Sequence, residues 1–327
     1  MSERKETRLG IRRNEKFELI DPVQTMSPGE RARYFDQRVA EIVDYAYEHV
    51  PNFKDRLDKA GIQPAEVRKV EDLDKIPVIT RGELVEHQRA NPPFGGMLTC
   101  PLSDLKRIFI SPGPIYHPQA DDIHSTLEYA YAYYSMGFRK GDIILNSAMY
   151  HLVPAGAAYD DAFRYLGAVP VPTGVGNTEL QVKIMHDTKA SGIFCTPSFF
   201  MALLQKAKDL GYDFPKDFAL RQVIFSHELV PPELKESLAR DYGISAVEFY
   251  GSADVGMISF ECGQGAGMHI LSGFIVELID PETGKKVEPG EMGEIVVTPL
   301  SKTNPLIRYA TGDLSSFVEG PCPCGRT

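Results

Sequence analysis

From Asp142 onward the chain repeats one pattern, and that pattern leaves few folds open. Short apolar runs stand at Ile143–Leu145, Val169–Val171, Ile193–Cys195, Val223–Phe225 and Val247–Tyr250. Between them lie stretches of helical period, among them Glu179–Lys189, Phe199–Leu210 and Pro232–Tyr242. Strands alternating with helices at this spacing form βαβ units, and each helix carries the chain back so that successive strands lie parallel. The expected class is therefore α/β with a mostly parallel sheet. Ligands of such sheets sit beyond the carboxyl ends of the strands, which points to the loops after Phe225 and Tyr250.

The flanks differ from this body. Phe35, Val39, Ile42, Val43, Ala46 and Val50 recur at three- and four-residue spacing, so Gly29–Val50 should form a helix opened by Ser27-Pro28. A second helix is expected over Phe53–Ala60, stopped by Gly61. After Gly263 the texture changes again: Phe274–Ile279 and Glu294–Pro299 alternate as strands do, with Asp280–Gly284 as a turn. Three regions result: a helical opening (residues 1–100), an α/β body (101–262) and a small β-rich segment (263–327).

With 327 residues, 43% hydrophobic and 24% charged, the chain has the composition of a folded globular protein. Its formal charge of −10 argues against a surface built for nucleic acid or an anionic membrane. No run approaches the roughly 20 apolar residues of a membrane span. Met1–Lys16 lacks the apolar core of a signal peptide, so the cytoplasm is the expected address. Five cysteines in a chain of this length do not make a disulfide framework, but Cys262, Cys322 and Cys324 all fall in its last quarter.

Three segments carry candidate chemistry. In Phe249-Tyr250-Gly251-Ser252-Ala253-Asp254 an expected strand ends in an aromatic, a glycine, a small polar residue and an acid. The ring of Tyr250 can stack on a purine, Gly251 allows close backbone approach, and Asp254 can hold Mg²⁺ beside phosphates. A strand-to-loop turn with an exposed aspartate explains the segment as well. In Ile307-Arg308-Tyr309-Ala310-Thr311-Gly312-Asp313 an acid after a tight glycine turn can accept ribose hydroxyls, and a plain β-turn is the other reading. Finally, Cys262 and His269, with Cys322-Pro323-Cys324 downstream, offer three thiols and an imidazole, the ligand set of a structural zinc site; unrelated buried thiols remain the alternative.

Taken in order, these segments resemble the phenylacetate–CoA ligase branch of the adenylate-forming enzymes. The resemblance rests on Ala46–Pro51, Glu71–Pro77, Gly176–Glu179, Thr196–Ser198, Tyr250-Gly251, Glu261-Cys262, Gly267–His269, Arg308–Asp313 and Cys322–Arg326, and it covers almost the whole chain. It implies the large N-terminal domain of that fold over residues 1–327. It also implies an ATP-dependent acyl-CoA ligase that joins an aryl or related carboxylic acid to coenzyme A through an acyl-adenylate, with Mg²⁺ and a structural Zn²⁺. Asp254 would hold Mg²⁺ where the family usually has glutamate. Tyr250 would pack on adenine, Asp313 would bind the ribose, and Glu228, Gly251, Ser252 and Arg308 would line the AMP/ATP site. Cys262, His269, Cys322 and Cys324 fall on the zinc positions, and Tyr150-His151 with Gly174–Gly176 fall near the acyl pocket. A homodimer is the family expectation.

Two departures accompany the resemblance. The family's Ser/Thr/Gly-rich phosphate loop, which ends in Gly-Lys-Pro, is replaced by Ser111-Pro112-Gly113-Pro114-Ile115-Tyr116-His117-Pro118. Proline removes backbone N–H donors, and the lysine position is His117. The chain also ends at Thr327, before the lid domain that supplies the family's catalytic lysine, so poor adenylate formation by this chain alone is expected. These departures leave a rival reading, a non-catalytic or repurposed relative that binds a nucleotide or acyl ligand. A zinc-centred interaction module would explain only the last quarter.

Overall fold

In the computed structural model residues 11–13, 18–120, 123–264, 267–288 and 290–326 are described. Most of the charged opening stretch, Met1–Lys16, lies outside them. In chain order the elements begin with a minimal strand pair, β1 (Arg12–Arg13) and β2 (Leu19–Ile20), followed by helices α1 (Pro28–His49), α2 (Pro51–Ala60) and α3 (Arg81–Ala90). A hairpin of β3 (Leu105–Ser111) and β4 (Ile115–Ala120) comes next. An alternating series then runs through α4 (His124–Ser135), β5 (Ile143–Asn146), α5 (Ala155–Leu166), β6 (Val169–Val171), α6 (Thr178–Asp187), β7 (Gly192–Cys195) and α7 (Pro197–Asp209). It continues with α8 (Phe214–Asp217), β8 (Gln222–Phe225), α9 (Pro232–Tyr242), β9 (Ser245–Ser252), β10 (Gly256–Phe260) and β11 (His269–Ile270). Last come β12 (Phe274–Ile279), β13 (Gly293–Pro299) and β14 (Tyr309–Ser315).

The chain forms two compact units whose boundaries cross the sequence. One takes the residues up to Asp21 together with Ile123–Gly251 and Gly256–Leu271; the other takes Pro22–Asp122, Ser252–Val255 and Ser272–Thr327.

The first unit is built on a seven-stranded sheet in the order β11-β10-β9-β8-β7-β5-β6. Strands β6, β5, β7, β8 and β9 are parallel to their neighbours in that run, and β10 pairs antiparallel with β11. Every residue of β7 and β8 is buried, which is why these strands read as unbroken apolar runs rather than alternating ones. Ile193, Val223 and Phe225 pack with Phe200 and Leu203 of α7 and Leu238 of α9 in one core. The α/β class with a mostly parallel sheet is what the sequence implies, and the expected strand positions hold to within two residues.

In the second unit α1 begins at a full capping box. Ser27 Oγ accepts from the Glu30 amide and Glu30 Oε2 accepts from the Ser27 amide at 3.0 Å, with Pro28 in the first turn. The Ser27 hydrogen bonds hold the Glu30 carboxyl below the usual range. Val39, Ile42, Val43 and Ala46 form the buried face. Helix α2 stops at Gly61, whose φ of +70° is the left-handed cap that glycine adopts without a Cβ clash. The β-rich part is an antiparallel sheet in the order β12-β13-β14. At Ile79 the chain after α2 forms a parallel bridge to Tyr309, donating its amide to Arg308 O and accepting from the Ala310 amide, both at 2.9 Å.

Arg308 binds these parts together. Its side chain is 2% exposed, and Nε donates to Glu277 Oε2 at 2.9 Å. Nη1 donates to the carbonyls of Ile76 at 2.6 Å and Asp74 at 3.2 Å. Burial pushes the Glu277 carboxyl up, and the arginine opposes that shift. Removing one partner of a buried pair leaves an uncompensated charge, which typically costs about 3–5 kcal/mol. Arg308→Ala is therefore expected to lower the unfolding free energy by about that much in urea titration. A loss below about 1 kcal/mol would mean that Lys286, 3.8 Å from Glu277, takes over the charge.

Candidate functional site

In the second unit the turn Ser252–Val255 brings Asp254 into a polar cluster. The aspartate side chain is only 1% exposed, and its Oδ2 takes two donors: Arg81 Nη1 at 2.6 Å and the Tyr309 hydroxyl at 2.8 Å. The other oxygen, Oδ1, is buried without a hydrogen-bond partner, and so is the hydroxyl of Ser252. Burial, followed by the negative charge of Asp254, raises the Tyr309 phenol well above its ordinary range, so it stays a proton donor. Asp254 is thus not the exposed turn aspartate of the simpler reading. An orphaned, buried carboxylate oxygen fits a divalent cation, because such cations take oxygen ligands and an unmatched acceptor in the interior is costly.

Arg81 is a site residue that sequence reasoning did not identify. It opens α3, whose start is fixed by a capping box between Thr80 and Glu83. The Thr-x-x-Glu pattern is the sequence signal that marks the start of α3. The second arm of the guanidinium, Nη2, donates to the carbonyl of Pro112 at 2.8 Å and lies 3.5 Å from Ser111 Oγ. Farther along the helix, Gln88 accepts from the Tyr116 amide at 2.7 Å and donates to the Tyr116 carbonyl at 2.9 Å, which clamps α3 to the hairpin.

The segment expected as a phosphate loop is the tip of that hairpin. Ser111 pairs with Ile115 and Phe109 with His117, leaving Pro112-Gly113-Pro114 as the turn. Between two prolines the turn has one N–H, that of Gly113. His117 faces inward, 7% exposed, with Nε2 and Ser111 Oγ 2.7 Å apart. Burial pushes its pKa down, so the imidazole is neutral at pH 7 and is no substitute for a lysine cation.

Asp313 is exposed on β14, and the reason is a bulge rather than the expected tight turn. Glu294 pairs with Leu314 and Val296 with Ala310, so Thr311, Gly312 and Asp313 face Ile295 alone. Gly312 adopts φ +84° within the bulge and donates to Glu294 Oε1 at 3.1 Å. A bulge re-aims a side chain at the edge of a sheet. Arg308, four residues before Gly312, is a correction: its guanidinium lies inside the fold, spent on Glu277 and two carbonyls. It anchors the strand that carries Tyr309 and Asp313, and its Nη2 is left buried without a hydrogen-bond partner.

The first unit holds the other expected positions. Glu228 follows β8 and accepts from the Ser198 amide at 3.0 Å and the Ser198 hydroxyl at 2.7 Å, bonds that hold its carboxyl below the usual range. Tyr250 is half-buried on β9. At Gly251 a Cβ would stand 2.3 Å from the carbonyl of Gly256, so the glycine is required by the approach of β10. At the expected acyl-pocket positions, Gln181 donates to the carbonyls of Gly174 at 2.8 Å and Gly176 at 2.7 Å and accepts from Ser147 Oγ at 2.8 Å. Tyr150 is tied to Asn146 at 2.8 Å and Asp160 at 3.2 Å, whereas His151 is exposed. The four zinc candidates divide into pairs. Cys262 and His269 bring their ligand atoms within 4.8 Å of each other in the first unit, and Cys322 and Cys324 do the same in the second. The Cys322–Cys324 turn is closed by the Gly325 amide on the Cys322 carbonyl at 3.0 Å.

The sequence family described as AMP-binding enzyme matches residues 165–299. The phenylacetate-coenzyme A ligase of Thermus thermophilus is 30% identical over 321 residues, covering 94% of this chain and 71% of that protein. Its namesake from Pseudomonas putida is 30% identical over 319 residues, covering 92% and 70%. Among solved structures, an open conformation of 2-hydroxyisobutyryl-CoA ligase in complex with 2-HIB-AMP and CoA aligns with a TM-score of 0.87 at 27% identity, over 93% of this chain and 74% of that one. Identity at that level across more than nine-tenths of the chain decides the family: the protein belongs to the phenylacetate–CoA ligases, AMP-forming acid–thiol ligases of the adenylate-forming superfamily.

Proposed function

We propose that the protein activates an aryl or related carboxylic acid with ATP and passes the acyl group to coenzyme A. The substrate carboxylate attacks the α-phosphate, pyrophosphate leaves, and the thiol of coenzyme A then attacks the acyl-adenylate carbonyl and expels AMP. Carboxylates acylate poorly, so the phosphate ester supplies the leaving group. The observation that carries this reading is the fold-wide likeness to a ligase whose structure is described with an acyl-adenylate and CoA. In this reading Tyr250 packs on adenine, with Glu228, Gly251 and Ser252 around it, and the exposed Asp313 accepts the ribose hydroxyls. Asp254 Oδ1 is the oxygen offered to Mg²⁺, whose charge would offset that building on the phosphates. A reaction that consumes ATP and coenzyme A fits a cytoplasmic address.

The turn with a single amide and the buried, neutral His117 favour a second reading, a relative that binds adenylate-like ligands without forming them. ATP–pyrophosphate exchange by the full-length protein, with a panel of aryl-acetic, benzoic and short hydroxy acids, separates the two. Exchange stimulated by at least one acid is expected, and AMP binding without exchange for any acid would favour the second reading. Asp313→Ala is expected to weaken AMP binding roughly ten-fold, about 1.4 kcal/mol, the scale of a lost charge-assisted hydrogen bond. Calorimetry on the folded variant checks this, and unchanged affinity would remove Asp313 from the site.

We further propose that Cys262, His269, Cys322 and Cys324 together hold one structural Zn²⁺. Three thiolates and an imidazole suit that ion, and four protein ligands leave no open position for catalysis. One zinc per chain is expected by elemental analysis, with Cys322→Ser/Cys324→Ser losing the metal and lowering the thermal unfolding temperature. A metal-free wild type of normal stability would refute the assignment.

A further inference from the structure

The turn at the expected phosphate-loop position is poor in donors: two of its three residues are prolines, and the histidine at the lysine position is buried with its pKa pushed down. A nucleotide triphosphate brings about four negative charges, which a single glycine amide cannot match. Arg81 stands beside the same turn. Its Nη2 reaches the Pro112 carbonyl at 2.8 Å, its Nη1 reaches Asp254 at 2.6 Å, and 44% of its side chain remains exposed.

We propose that Arg81 is a phosphate-binding residue, supplying to the polyphosphate of ATP the positive charge that the turn and His117 do not. This role rests on the ligase reading proposed above. A guanidinium carries five N–H donors in a fixed fork. Here both terminal nitrogens are already held, by Asp254 on one side and the Pro112 carbonyl on the other. The group is therefore oriented before any ligand arrives, and 44% of the side chain remains exposed to one. Asp254 does not cancel this function. Its second oxygen is buried without a partner, and a divalent cation there makes the Arg81–Asp254–cation group net positive. Tyr309, which donates to the same Oδ2 as Arg81, keeps the carboxylate from rotating that second oxygen away. Helix α3 fixes the distance, because its capping box anchors one end and the Gln88 clamp on Tyr116 secures it against the hairpin.

The test is calorimetric titration of the full chain with Mg·ATP and with AMP, for wild type, Arg81→Ala, Arg81→Gln and Arg81→Lys. Arg81→Ala and Arg81→Gln should each raise the Kd for Mg·ATP at least ten-fold while changing that for AMP less than three-fold, and Arg81→Lys should lie between them and wild type. The weakening of Mg·ATP binding with added salt should also be shallower in Arg81→Gln, a readout that a purely structural role leaves unmoved. Glutamine keeps most of the stem and a polar amide while removing the charge, so it carries the test if Arg81→Ala does not fold. Equal loss of both ligands, or no loss of either, overturns the proposal. Wild type that binds AMP but not Mg·ATP overturns it while leaving the adenosine site standing. Wild type that binds neither removes the ligase reading and this inference together.

Discussion

A charged side chain buried in the second unit decides how its pieces meet. Arg308 cannot stay in the interior unless its charge and most of its donors are matched. The partners it finds lie far apart in sequence: Glu277 on β12, and the carbonyls of Asp74 and Ile76 in the segment between α2 and α3. Matching that charge and the Nε and Nη1 donors therefore draws the helical opening against the β-rich end. Arg56 adds a second tie to the same strand approach, donating to the carbonyl of Ile307 at 2.6 Å. The parallel bridge of Ile79 to Tyr309 follows in register. Everything the candidate site needs from β14 depends on that placement: the Tyr309 hydroxyl that reaches Asp254 and the bulge that turns Asp313 outward.

The legible parts of the fold are those whose physics is local. Strands β7 and β8 are buried on both faces, so their apolar runs have no polar interruption to confuse them. Helix α1 carries both a capping box and a periodic face. The hairpin of β3 and β4 was hidden because Pro112, Pro114 and Pro118 look like loop residues, yet Pro118 sits within β4 opposite Ile108. Proline is tolerated where a strand's N–H has no ladder partner, as at a sheet edge, and a two-stranded hairpin has little but edges. Helix α4 is hidden in the sequence for the opposite reason: Leu127 through Tyr133 are all buried, which removes the periodic contrast that marks an amphipathic helix.

For the site, residue types were legible and partners were not. The acids at 254 and 313, the glycines beside them and the two Cys/His pairs could be selected from motif and chemistry. What surrounds each could not, because those contacts close over long separations. Arg81 meets Asp254 across 173 positions and Arg308 meets Ile76 across 232. Arg308 shows the consequence. An arginine in a nucleotide-binding motif invites a ligand contact, and only the distant acid and carbonyls reveal that its charge is already matched.

The same long-range closure explains why a short acid serves at position 254. Arg81 and Tyr309 both converge on Oδ2, so the carboxylate is held by two donors from different elements. A side chain one methylene longer would have to fold back to keep both. With aspartate the bonds are direct, and the cost appears elsewhere, as an unpartnered Oδ1 and an unpartnered Ser252 hydroxyl two residues away. Each such buried group costs on the order of 1–3 kcal/mol, and most folded proteins keep very few of them. Two of them fall in one four-residue turn, next to an arginine held by Asp254 and the Pro112 carbonyl. On the ligase reading proposed above, those two oxygen atoms are the ones offered to a cation.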